Sequence, residues 1–202
     1  MPRCKNPNCK DKFKPRIFLQ KFCLEKDECI KMAVEQKKGK LLCEKVKEMK
    51  VNTHSKEHKK ELQKEINLLA RMIDAKFKHP CIDCCGRPYG KQIDGAHFHS
   101  VGSNSSLRFN LHNIHSADSQ CNNYSSAHLS GYEVGIKDRY GTEYLETLKG
   151  LPLKYKELKI SNFEVYEKLA VVRKINRTFN TYNIINGESA RELFNKLIGI
   201  YN

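Results

Sequence analysis

Nine cysteines and eight histidines are spread unevenly along this 202-residue chain, and they are where it could do chemistry. The cysteines fall into two groups, Cys4, Cys9, Cys23 and Cys29, then Cys81, Cys84, Cys85 and Cys121, with Cys43 alone in a lysine-rich stretch where a small filler is expected. Cys81 and Cys84 form a two-residue-gap knuckle, and Asp118 and Cys121 arrive after a loop. Two knuckles make a tetrahedral site, so Cys81, Cys84, Asp118 and Cys121 are expected to hold a structural zinc, with Cys85 or a nearby histidine as the alternative fourth ligand. In the first group, two cysteine pairs flank a stretch carrying Phe13, Ile17, Phe18 and Phe22. That is the layout of a small zinc ribbon, in which Cys4, Cys9, Cys23 and Cys29 ligate a second zinc that replaces a core too small to fold alone. The start, MPRCKNPNCK, lacks the apolar stretch of a secretory signal. A reducing, cytoplasmic setting is therefore expected, where thiolates bind metal rather than persist as disulfides.

The histidines supply the other chemistry. His97 and His99 stand two apart in a β-like stretch, so both face one side, and Asn113 and His115 repeat that spacing. A neutral imidazole near pH 7 can take a proton from water. Oxygen ligands such as an Asn carbonyl or an Asp carboxylate suit Mg²⁺ or Mn²⁺, whereas soft thiolates suit zinc. His54, His58, His79, His112 and His128 lack such a setting and are read as surface or satisfied polar residues.

These groups need a frame. From about residue 30 to 78 the chain has no Pro and a single Gly39, and Leu62, Ile66, Leu69, Ile73 and Phe77 form one apolar stripe on a Lys/Glu surface. A long amphipathic helix is predicted, its stripe either core or the seam of a homodimer. Pro80 ends it, and a Gly-, Ser-, Asn- and His-rich stretch with short β-like pieces follows. Ser161 is a predicted N-cap for a helix to about Phe179, and Asn186-Gly187 precedes another. The expected organisation is a zinc-binding module over 1–36, a basic helical linker over 37–78, a catalytic core over 79–150 and a helical segment over 151–202. The fold class is α+β, and no stretch is apolar enough to span a membrane.

Charge is asymmetric. Residues 1–76 carry 21 Lys/Arg against 11 Asp/Glu, residues 77–150 carry 7 against 7, and residues 151–202 carry 9 against 5, which places the whole net charge of +14 on the flanks. A polyanionic partner bound by salt-sensitive contacts is implied.

The order of knuckle, strand His, Asn, and a last cysteine followed directly by Asn122 resembles the HNH nuclease motif, in which a β-hairpin and a helix share one metal. More narrowly, PCIDCCG, DGAHF, LRFNLHNIH, CNNYSSAHLSG and the following DRYG resemble the phage NinG/Rap recombination family, and the N-terminal cysteine array and overall length extend the likeness over nearly the whole chain. A more distant likeness is to phage recombination endonuclease VII. The resemblance implies a zinc-stapled ββα-metal core and a metal-dependent endonuclease acting in the host cytoplasm on branched DNA such as Holliday junctions and D-loops. It also implies His97 as general base, Asn122 as a ligand of the catalytic Mg²⁺ or Mn²⁺, and Asn113 as the brace of the His-bearing strand. His99 and His115 are further catalytic candidates. Many HNH nucleases carry an acidic ligand just before the catalytic His. Here Ala96 stands there, and Asp94 is the nearest replacement, although three residues away on a regular strand it points to the opposite face, so that a bulge, or a different ligand such as His99, is needed. A non-catalytic, double-zinc DNA-binding protein and a site-specific HNH nuclease are the alternative functions.

Overall fold

A computed structural model describes residues 1–84, 92–124 and 128–201. The chain folds as two compact units, Met1–Thr53 and His54–Asn202.

In the first unit a small cluster of Cys4, Phe13, Phe22, Cys23 and Cys29 packs against Met32 and Ala33. The expected ribbon hairpin is reduced to one isolated bridge, Arg3 to Lys12, and the fourth cysteine sits in the first turn of α1, Asp27–Thr53. Asp27 and Glu28 favour that helix start by opposing its dipole. Only Cys29 and Val51 of α1 are buried and Met32 and Ala33 half-buried, so most of this lysine-rich helix is a solvated face.

The predicted single helix is two. It breaks at His54, and α2, Ser55–Lys76, belongs to the second unit rather than to a linker. The stripe is core and not a dimer seam: Leu62, Ile66, Leu69 and Ile73 are wholly buried among Val165, Leu169 and Val172 of α6 (Asn162–Thr178) and Ala190 and Phe194 of α7 (Gly187–Ile198). Burying each such aliphatic side chain is worth about 1.5–3 kcal/mol, which makes α2 the spine of this unit. Ser161 and Asn186 each close a capping box at the starts of α6 and α7, as their sequence positions predict.

Against α2 lies the two-stranded antiparallel sheet of β1, Ile93–His97, and β2, Ile114–Asp118. The register is continuous from Ile93 opposite Asp118 to His97 opposite Ile114, with no bulge. Gly95 lets β1 close on α2, because a Cβ there would come within 2.8 Å of Asn67. The other sheet face, with Ala96 and Ala117, packs on Tyr132 and Ile136 of α4 (His128–Tyr140) and on Leu145 and Leu148 of α5 (Thr142–Lys154). The short helix α3, Ser119–Tyr124, follows directly on β2. Among the described residues no helix is long and apolar enough to cross a membrane.

Candidate metal centres and active site

The sulfurs of Cys4, Cys9, Cys23 and Cys29 all lie within 4.8 Å of one another. Cys4 Sγ is 3.7 Å from Cys29 Sγ, and Cys9 Sγ is 3.8 Å from Cys23 Sγ. Zn–S bonds of about 2.3 Å in a tetrahedron put sulfurs about 3.8 Å apart, whereas a disulfide needs about 2.05 Å. The donor set therefore fits a zinc ion. Backbone and side-chain N–H groups prepare the sulfurs for negative charge: the Cys23 amide donates to Cys4 Sγ at 3.4 Å and Asn6 Nδ2 to Cys29 Sγ at 3.2 Å. The Glu25 amide brings the Cys23 thiol down to about 7, while burial pushes Cys29 up to about 12. Four adjacent thiols ionise together only around a cation.

In the second unit Cys81, Cys84 and Cys121 form the matching group. Burial raises the Cys81 thiol, but amides of Asp118, Cys84 and Asp83 outweigh it and lower the net value, the pattern of a metal knuckle. Asp118, the fourth ligand expected, is not in that group. Its amide donates to Cys81 Sγ at 3.1 Å, and its Oδ1 accepts the Gln120 amide at 2.9 Å, which makes it a cap for α3. The alternative, Cys85, lies outside the described residues. Two glycines that sequence reasoning passed over complete this corner. Gly131 and Gly135, one turn apart on α4, admit the knuckle so closely that a Cβ would fall 2.3 Å from the Asp83 oxygen and 1.9 Å from the Ile82 oxygen. Their four-residue spacing in a helical stretch was the available signal. Both cysteine groups could hold zinc, and metal analysis of purified protein is expected to find about two zinc ions per chain. Fewer than about one would sink both sites. Cys81→Ser or Cys121→Ser is expected to unfold the second unit rather than merely slow a reaction.

At the end of β1, Asn113 clasps the strand's exit. Its Oδ1 accepts the His99 amide at 2.8 Å, and its Nδ2 donates to the His99 carbonyl at 3.0 Å. His97 Nε2 lies 3.1 Å from the Arg108 carbonyl and 3.3 Å from Gln63 Nε2 of α2. A carbonyl only accepts, so the neutral ring carries its proton on Nε2 and leaves Nδ1 to receive one; the Gln63 amide, whose Oε1 lacks a partner, suits this tautomer once it turns together with Asn67, whose Oδ1 now accepts from Gln63 Nε2 at 2.7 Å. Burial lowers the His97 pKa, against the raising effect of the Arg108 carbonyl, so the ring is neutral at pH 7.

The oxygen donors meet elsewhere. Asp94 Oδ2 accepts from Asn122 Nδ2 at 3.3 Å and from Ser119 Oγ at 3.0 Å, so α3 brings Asn122 to Asp94. With no bulge in β1, Asp94 faces α3 while His97 faces α2, on opposite sides of the sheet. His99 is turned away, its Nε2 2.9 Å from the Leu148 carbonyl. His115 is wholly buried, with Nδ1 3.0 Å from Tyr132 Oη and a pKa held well below the usual value by burial and then by the Arg191 cation. A ring with no exposed surface cannot meet a phosphodiester, which removes His115 from the candidate bases.

Fold and clusters together define an α+β protein with two compact cysteine centres, one in each unit. A protein-family model described as the bacteriophage lambda NinG protein matches residues 1–177, and the chain belongs to the NinG family. The protein ninG of Escherichia phage lambda is 28% identical over 166 residues, covering 73% of this chain and 79% of that protein. The protein ninG of Salmonella phage P22 is 27% identical over 166 residues with the same coverage, and that of Escherichia phage 933W is 31% identical over 90 residues, 45% of this chain and 43% of the relative. No solved structure gives a significant match.

Proposed function

We propose that this NinG-family protein is an HNH-type, metal-dependent DNA endonuclease that hydrolyses a phosphodiester in branched recombination intermediates, Holliday junctions and D-loops among them. The observation that carries this reading is the Asn113 clasp on His99 together with the Arg108 carbonyl on His97 Nε2: the pair fixes a neutral imidazole at a strand end with one nitrogen left to act as base. His97 takes a proton at Nδ1 from the attacking water. Asp94, Asn122 and Ser119 offer the hard oxygens that Mg²⁺ or Mn²⁺ prefers, once the Asn122 amide turns its oxygen inward. Such an ion, when bound, would neutralise the phosphate and stabilise the leaving oxygen. The lysine-rich flanks supply the sequence-independent grip on the phosphate backbone.

The test is cleavage of a labelled four-way junction and of a linear duplex, each with and without added Mg²⁺. Cutting of the junction alone, and only with Mg²⁺, is the expected result. Cutting of the duplex at one fixed sequence would point instead to a site-specific nuclease. Binding without cutting, even with Mn²⁺, would overturn the enzyme and leave a double-zinc DNA-binding protein.

A further inference from the structure

The loop over residues 15–19 of the first unit presents Ile17, Phe18 and Leu19 to solvent at 64%, 92% and 76% exposure, while the neighbouring Phe13 and Phe22 are buried at the cysteine cluster. Two phenylalanines thus anchor the loop and a third is held outward. Burying Phe18 would have removed more apolar surface from water, so its exposure runs against the drive that folds the unit.

The loop is fixed by one residue. Gln20 Oε1 accepts the Arg16 amide at 2.8 Å, the Gln20 amide donates to the Ile17 carbonyl at 3.2 Å, and Gln20 Nε2 donates to the Phe22 carbonyl at 2.6 Å. Leu19 holds φ at 61°, in the left-handed region where glycine fits without strain and a branched side chain does not. Leucine at that position retains an apolar side chain where local sterics favour its loss. Around the tip, residues 12–22 include Lys12, Lys14, Arg16 and Lys21 and no carboxylate. An apolar tip flanked along the chain by four cations and no carboxylate fits a polyanion that also offers apolar faces, and nucleobases that have lost a stacking neighbour are such faces.

We infer that this loop is a wedge, with Phe18 stacking on unstacked bases at DNA branch points, strand ends or single-stranded segments. The inference rests on the DNA-binding part of the reading above and goes further, because it locates branch preference in the cysteine-stapled first unit, apart from His97. In intact duplex the bases are already stacked, so there the lysines act alone through the phosphates.

The experiment uses the full, zinc-loaded chain without Mg²⁺, so that cleavage does not intervene. The probes are a four-way junction carrying 2-aminopurine at the crossover and a linear duplex carrying it at an internal step. The wild-type protein is expected to change the fluorescence of the junction probe and not of the duplex probe. Phe18→Ala is expected to abolish that change and weaken junction binding about 5- to 150-fold, the range for losing one base–aromatic stack, with duplex affinity and its salt slope unaltered. Phe18→Tyr, which keeps the ring, is expected to restore both readouts, whereas Phe18→Leu is not. Unchanged zinc content shows that the variants fold. Equal junction affinity for Phe18→Ala and wild type would overturn the wedge, as would a parallel loss on duplex and junction or a wild-type protein that binds neither. A protein that binds junctions through Phe18 but never cuts them would sink the nuclease reading and leave the wedge standing.

Discussion

His97→Ala is expected to lower junction cleavage by about 10²- to 10⁴-fold, the usual worth of a general base, while zinc content and junction affinity stay at their wild-type values. The expectation follows from where the ring sits. Its Nε2 is engaged by the Arg108 carbonyl at 3.1 Å, which holds the ring in one orientation and fixes the tautomer. Nδ1 is then the atom that receives the proton, and alanine removes it without touching either cysteine group. The pH dependence gives an independent check. Burial lowers the His97 pKa from 6.5, so the neutral, active form persists to more acid pH than for an ordinary histidine. The acid limb of the cleavage profile is expected below pH 6.5, with activity falling as pH drops through the lowered value, and the remaining activity of His97→Ala should have lost that limb. A variant that still cuts junctions near the wild-type rate would refute the assignment, and His99, tied to the Leu148 carbonyl but partly exposed, would be next to test.

The site was legible in the sequence where chemistry and spacing are local. Cysteine spacing gave both sulfur groups, and strand alternation already told that Asp94 and His97 point apart, as the bulge-free register has them. Serine and asparagine signalled the starts of α6 and α7 because a capping box is a contact between residues three apart. What failed was non-local or competitive. The stripe on α2 could not reveal its partner, because α6 and α7 lie about a hundred residues further on. The break at His54 carries no Pro, Gly or side-chain cap to announce it. Asp118 stands three residues before Cys121, and spacing alone did not say that an amide at the start of α3 would take its Oδ1. For His115, alternation specified a sheet face without saying that Tyr132 would cover it. Gln63, in contact with His97 from 34 residues away, left no local signal.

Arg191→Met is expected to destabilise the second unit by about 3–5 kcal/mol, the cost of breaking a buried ion pair by removing one partner. Arg191 and Asp74 are both fully buried. Each of the arginine's five N–H groups has an acceptor: Asp74 Oδ1 and the Ile114 carbonyl take Nη2, Tyr140 Oη and the Gly187 carbonyl take Nη1, and the Leu111 carbonyl takes Nε. Asp74 is equally engaged, accepting the Ser116 amide at 2.7 Å and, more weakly, Arg139 Nη1 at 3.4 Å. One guanidinium thereby joins α2, the loop and strand leading through β2, α4 and α7. Methionine fills similar space but leaves a buried carboxylate with a single, poorer cation and takes one donor from each of four neutral acceptors. The measurement is urea unfolding, with a lower midpoint and an unchanged slope expected for Arg191→Met. Asp74→Leu combined with Arg191→Met should recover part of the loss, because the double change removes the uncompensated charge as well as its partner. A loss below about 1 kcal/mol for Arg191→Met would show that the network is incidental to stability. The family match ends at residue 177, so Arg191 lies beyond it, yet the guanidinium reaches the β2 strand that follows directly on the Asn113 brace of His99. On this account truncation after the matched segment should cost the second unit its frame, and any cleavage should fall with stability rather than independently of it.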